Sequence, residues 1–188
     1  MMLEIRIHGR GGQGVVTLAE LLAKTAVRTG KEALTLPHFG VERRGATVKA
    51  AVRLDDHPIK VRSQAYEPDM LVLMSENLLP IGLADGIAEG GIIIANSKNP
   101  LSVDRQQWVV NAVDIAITNN LVFGGEPFVN VPMLGALCRV LEIPFSALEE
   151  TIKEQWNDSK ALPNIAAAHE AYDTVRKVSQ SKEDVVHG

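Results

Sequence analysis

Leu3, Ile5 and Ile7 alternate with Glu4, Arg6 and His8 at the start of the chain. That period of two predicts a strand with unlike faces. Val15, Leu18, Ala19, Leu22 and Ala26 then fall at helical spacing, with Thr17, Glu20, Lys24 and Arg28 opposite. Gly9, Gly11, Gly12 and Gly14 crowd into the six positions between. A strand, a glycine turn and a helix are predicted, with backbone N–H groups at the positive end of the helix dipole, where an anion can sit.

A second strand is expected at residues 33–36. Further on, Val48, Ala50, Val52 and Leu54 alternate with Thr47, Lys49 and Arg53, and Ile59 and Val61 with Lys60 and Arg62. Asp55-Asp56-His57-Pro58 lies between them as turn residues, so an antiparallel hairpin with one wet or partner-facing side is predicted. Residues 70–74 and 92–95 are short continuous apolar runs, the pattern of strands covered on both faces in a parallel sheet. A helix at 78–88 is expected between them, then a strand at 108–113 and a short helix at 115–121. Gly124-Gly125-Glu126-Pro127 reads as a loop. Residues 131–141 are apolar nearly all round and predict a buried helix. Ser146 and Glu149 form an S-x-x-E capping box before Leu148, Ile152 and Trp156. Ile165, Ala168, Tyr172 and Val175 mark a final helix.

The fold class is therefore α/β: a Rossmann-like, mainly parallel sheet flanked by helices, with an inserted antiparallel β-hairpin and a helical C-terminal third. One domain over residues 1–178 is expected, with the polar stretch 179–188 fraying. A length of 188 residues, 46% hydrophobic and 22% charged, suits one such domain, and aromatics at 4% leave the core to aliphatic side chains. Charged residues interrupt the first apolar segment and no apolar run is long enough to cross a bilayer, so a cytoplasmic protein without a membrane span is expected.

Charge is uneven. Residues 43–62 hold six basic and two acidic side chains in a chain of net charge −4. Either a solvated face or a surface for an anionic partner accounts for this. Nucleic acid is not expected, because the chain is acidic and the patch lacks interleaved aromatics for base stacking.

Candidate chemistry is sparse. Cys138 is the one cysteine, set in an apolar segment, which excludes an internal disulfide and a cluster or cysteine-based zinc site held by this chain alone. The five histidines are scattered, and no G-x-S-x-G elbow is present. No catalytic residue and no metal ligand is assigned. Gly9, Gly11 and Gly14 spell the G-x-G-x-x-G of dinucleotide sites. The acidic residue that should hold the ribose is missing, since the second strand ends in Pro37 and His38. Three readings stay open for the turn: nicotinamide binding, close packing of strand and helix, or another phosphate or acidic group.

The loop at residues 37–45, PHFGVERRG, places Phe39, Glu42, Arg43 and Arg44 between glycines. Taken with HGRGGQGVVT before it, the hairpin ATVKAAVRL after it and VPMLGAL later, the chain resembles the gamma subunit of the 2-oxoacid:ferredoxin oxidoreductases, over about residues 2–175. The loop looks most like the pyruvate and branched-chain (2-ketoisovalerate) members. The resemblance implies a part in a multi-subunit enzyme that oxidatively decarboxylates a 2-oxoacid to an acyl-coenzyme A and passes electrons to ferredoxin. Thiamine diphosphate with magnesium and the iron–sulfur clusters would lie in partner subunits, so this chain alone would hold no cofactor and be inactive. It implies that Gly9, Gly11, Gly12, Gln13 and Gly14 contact coenzyme A or a phosphate, and that Phe39, Glu42, Arg43 and Arg44 meet a ligand or a subunit. The rivals are a stand-alone nucleotide-binding domain and a purely structural interaction subunit.

Overall fold

The computed structural model describes residues 2–38, 47–61, 63 and 66–178. In chain order they form β1 (Leu3–Arg10), α1 (Val15–Arg28), β2 (Glu32–His38), β3 (Thr47–Asp55) and β4 (Met70–Leu73). A 3₁₀ turn (Glu76–Leu78) leads into α2 (Leu79–Ala84), then β5 (Ile92–Asn96), β6 (Gln107–Val110) and α3 (Ala112–Thr118). A small hairpin of β7 (Val122–Phe123) and β8 (Glu126–Pro127) precedes α4 (Asn130–Val140), α5 (Phe145–Gln155), α6 (Asp158–Thr174) and β9 (Arg176–Val178).

Seven strands make one sheet in the order β2-β3-β1-β4-β5-β6-β9. From β1 to β6 neighbours run parallel, while β2, β3 and β9 add antiparallel pairs at the two sides. The parallel strands β4 and β5 are buried on both faces, as their unbroken apolar runs require. Helices α1, α4, α5 and α6 cover one face, where Ile5, Ile7, Val72 and Ile94 join the main core. Leu71, Leu73, Ile93 and Ala95 point to the other face, under Leu78 and α2. The α/β class and the helical last third stand as expected.

Four local expectations change. The hairpin over 48–61 does not form. Residues 56–61 carry no strand, and β3 instead lies between β2 and β1, paired antiparallel to both. On the side of β3 expected to be wet or partner-facing, Thr47 and Lys49 are part-exposed but Arg53 is 1% exposed, donating from Nε to Glu4 Oε1 at 2.5 Å and from Nη1 to the Val61 carbonyl at 2.7 Å. The helix expected to reach residue 88 ends at Ala84, two residues before left-handed Gly86 (φ +90°). The capping box is not made: α5 starts at Phe145 after Pro144, no side chain caps it, and Glu149 pairs with Lys153 instead. The glycine loop at 124–125 is a two-residue hairpin turn, with positive φ at both glycines (+60° and +83°), as tight hairpins favour. The tail 179–188 lies outside the described residues.

Helix α4 is buried from Asn130 to Cys138, as predicted, with Arg139 exposed in its last turn, and what buries it is this chain's own α1, α5 and α6. Gly135 allows it, since a Cβ there would fall 2.1 Å from the Ala168 carbonyl oxygen on α6.

Candidate functional site

The glycine turn opens at the carboxyl ends of β1, β4 and β5, the edge where open α/β sheets bind ligands. The Met74 N–H donates to the His8 carbonyl at 2.9 Å, carrying the ladder up to the turn. Asn96 fixes the adjoining wall by donating to the Met74 carbonyl (3.0 Å) and accepting from the Ala112 N–H (3.0 Å).

The glycines serve different needs. Gly12 has φ +96°, and no atom lies within 4 Å of the place a Cβ would take. There the backbone conformation alone demands glycine. Gly14, at φ +74°, is the residue before α1, and a Cβ on it would meet Asn130 Nδ2 at 2.7 Å. Gly9 lets the helix close on the strand, because its Cβ would sit 2.3 Å from Val15 Cγ2. Gln13 folds back on the turn, its Oε1 accepting from the Arg10 N–H at 2.7 Å while its own N–H donates to the Arg10 carbonyl at 3.0 Å. Close packing thus accounts for Gly9 and Gly14, and Gln13 braces the loop from within.

In front of the turn lies a cavity of about 560 Å³, lined by Gly11, Gly12, Gln13, Ser75 and Asn96, with Phe123, Phe128 and Glu126 on its far wall. These last three belong to the β7–β8 hairpin, whose base is held by the Phe128 N–H on the Leu121 carbonyl at 2.8 Å. A second cavity, of about 640 Å³, lies across the hairpin, and Phe123 and Phe128 line both. The sequence carried a signal for this wall in Gly124-Gly125, a dipeptide suited to a hairpin turn; Asn96 and Asn130 had none.

Behind the turn, on the second sheet face, is a buried polar network. Arg6 Nε donates to His8 Nε2 at 2.9 Å. Its terminal nitrogens donate to the carbonyls of Tyr66 (3.0 Å), Asp85 (3.0 Å), Gly82 (3.1 Å) and Gly86. Asp85 also pairs with Lys49. His8 has no exposed surface; burial first, and the Arg6 charge second, lower its pKa to about 4, so at neutral pH it is uncharged with its proton on Nδ1. The network holds residues 82–86 against β1.

Of the five glycine-turn residues, Gly11, Gly12 and Gln13 line the cavity in front of the turn, Gly14 lines the one across the hairpin, and Gly9 lines neither. Phe39, Glu42, Arg43 and Arg44 lie outside the described residues, as does Arg62. Two of the remaining basic residues in that stretch, Lys49 and Arg53, are neutralised internally by Asp85 and Glu4. Cys138 is fully buried, and burial pushes its thiol pKa well up, so it is a core residue and no nucleophile. The dinucleotide reading fails on topology: β3 separates β2 from β1, so the strand after α1 cannot carry a ribose-binding acid to the turn.

The model of the family described as pyruvate ferredoxin/flavodoxin oxidoreductase matches residues 4–174. The chain belongs to this family. It is 39% identical to the pyruvate/ketoisovalerate oxidoreductases common subunit gamma of Thermococcus litoralis, over 92% of this chain and 96% of that one. Identity is also 39% to pyruvate synthase subunit PorC of Methanothermobacter thermautotrophicus, over 94% and 98% of the two chains. The fold matches the crystal structure of pyruvate oxidoreductase subunit PORC from Thermotoga maritima with a TM-score of 0.80 and 31% identity, covering 95% of this chain and 99% of that one. The oxidoreductases of this family transfer electrons, yet this member's donor set does not fit a cluster. Its sole cysteine is buried, and among the described residues no three His, Cys, Asp or Glu side chains come together. No helix among them is long and apolar enough to cross a membrane.

Proposed function

We propose that the chain is the gamma subunit of a 2-oxoacid:ferredoxin oxidoreductase that converts pyruvate or a branched-chain 2-oxoacid to its acyl-coenzyme A. The observation that carries this reading is the end-to-end correspondence with relatives named as gamma or PorC subunits. In it, thiamine diphosphate with magnesium and the iron–sulfur clusters sit in partner subunits, which supply the electron path to ferredoxin in the cytoplasm. Residues 1–178 act as one folding unit that supports those partners. The turn at Gly9, Gly11, Gly12, Gln13 and Gly14 offers backbone donors to a phosphate of coenzyme A or to an acidic group of a partner. Gly12 is the position suited to contact, because its α-carbon faces open space. Phe39, Glu42, Arg43 and Arg44 would meet the ligand or a neighbouring subunit.

The subunit reading requires this chain to bring no reacting group of its own, in keeping with the buried thiol and the neutral, buried His8. Tagged and expressed in its native host, the chain should recover a thiamine-binding subunit and a cluster-bearing subunit. The eluate should reduce a viologen dye with a 2-oxoacid and coenzyme A, and the chain alone should not. A chain that elutes without partners, or one that turns over alone, would overturn this.

A further inference from the structure

A third cavity, of about 270 Å³, opens at the carboxyl ends of β5 and β6, where α3, the end of α6 and β9 close around it. Its floor is aliphatic: Val109, Val110 and Ile115 line it and are at most 5% exposed. Four charged side chains stand round that floor, Lys98 and Arg176 of one sign and Asp114 and Glu170 of the other. Lys98 and Asp114 satisfy each other at 2.8 Å. Arg176 and Glu170 do not meet, and neither forms an ion pair with any described residue. Each is held instead by one bond to a neutral group. Asn119 Nδ2 donates to Glu170 Oε2 at 2.8 Å, which leaves Oε1 without a donor among the described residues. Arg176 Nη2 donates to the Lys98 carbonyl at 3.0 Å, which leaves Nε and Nη1 without an acceptor among them. The pairing of β9 with β6 sets Arg176 opposite Val109, beside the apolar floor.

We propose that this cavity binds a free α-amino acid with an aliphatic side chain, a zwitterion of the leucine or valine kind. Glu170 Oε1 accepts from its ammonium, the remaining Arg176 N–H groups donate to its carboxylate, and its side chain lies on Val109, Val110 and Ile115. The four lining charges sum to zero, so a simple anion or a simple cation gains one partner and faces one repulsion. A ligand that carries both charges completes both open groups at once. The volume lies below that of pockets for drug-sized ligands and suits one small metabolite. The site is separate from the glycine turn and does not depend on the function proposed for the chain.

Calorimetric titration of the full chain with L-leucine should show saturable binding. The analogue 4-methylpentanoate lacks the ammonium and 3-methylbutylamine lacks the carboxylate, so neither should bind measurably. Glycine, without the aliphatic side chain, should bind more weakly than leucine. Arg176→Gln and Glu170→Gln should each weaken leucine binding by about tenfold. Arg176 is exposed, and Glu170→Gln keeps an oxygen for Asn119, so both variants should melt near the wild-type temperature. The analogue series on the wild type tests the zwitterion without either variant. No leucine binding at millimolar concentration, equal binding of either single-charge analogue, or an affinity unchanged in either variant overturns the proposal. Leucine binding lost in Gly12→Arg and kept in Arg176→Gln and Glu170→Gln would place the ligand in the glycine-turn cavity and overturn this site.

Discussion

The two faces of the central sheet are built from different materials. Under α1, α4 and α6 the core is aliphatic, and the fit is so close that Gly135 leaves no room for a methyl group against Ala168. The opposite face has a small apolar cluster beside buried polar groups: the charged Arg6 and Arg53, the neutral His8 and the part-buried Glu4, with Asp85 and Lys49 at the margin. Burial of apolar surface gains free energy in proportion to area, whereas a buried charge holds its place only while every partner is present. The first face should therefore degrade in steps of volume and the second by loss of whole segments.

Arg6→Ala tests this most severely. All five guanidinium N–H groups have acceptors, four of them backbone carbonyls on Tyr66 and the 82–86 segment. Removing the donor strands those carbonyls under a buried surface, so a stability loss of about 4 kcal/mol is expected by urea denaturation. Hydrogen exchange should quicken in residues 82–86 before it does in α4. Uniform exchange across both regions would mean that the two faces unfold as one.

Gly135→Ala strikes the other face. The added methyl meets backbone rather than a movable side chain, so α4 and α6 must separate, at a cost near the upper end of overpacking, about 3 kcal/mol. A loss below about 1 kcal/mol would show that this interface yields.

These faces also differ in what the sequence disclosed. Ile5, Ile7, Leu18 and Leu22 announced the helical face, because periodicity reports where apolar area goes, while the apolar runs at 70–74 and 92–95 announced strands covered on both faces. The same alternation put Glu4, Arg6 and His8 on the polar face of one strand and Arg53 on a side expected to be wet or partner-facing. Hydropathy does not distinguish a solvated arginine from one whose every donor is satisfied inside. That satisfaction comes from carbonyls 60 to 80 residues away along the chain, which no local pattern contains. The candidate site divides likewise. Its glycine turn was legible, while the aromatic wall and Asn130 depend on the hairpin and α4 reaching it from remote sequence.

The pH dependence of stability should belong to the polar face. His8 is protonated in the unfolded chain below its ordinary pKa of 6.5, and in the folded chain only near 4. Between those values the unfolded state binds more protons, so stability falls as pH drops from about 6.5 to 4, by about 3 kcal/mol in all. Denaturant midpoints taken across that window should fall for the wild type, and His8→Gln should remove most of the slope. An unchanged slope in the variant would assign it to other groups.

Gln13 supplies the smallest and most discriminating test. Its bond to the Arg10 N–H is of the same type as those around Arg6, a side chain satisfying backbone, but it is exposed. Water can replace the lost partner, so Gln13→Ala should cost only about 1 kcal/mol, against roughly four times that for Arg6→Ala. The comparison sharpens with Gln13→Glu. A carboxylate oxygen can accept the same N–H, and it stands next to the positive end of α1, so stability should match or exceed that of the wild type. A side chain that served chiefly to touch an anion would behave in the reverse way: Gln13→Ala would be neutral in the free protein, and Gln13→Glu would abolish phosphate protection. Melting curves of the three proteins, with and without phosphate, separate a brace of the turn from a ligand contact. Equal melting temperatures for Gln13→Ala and wild type without phosphate would end the brace assignment.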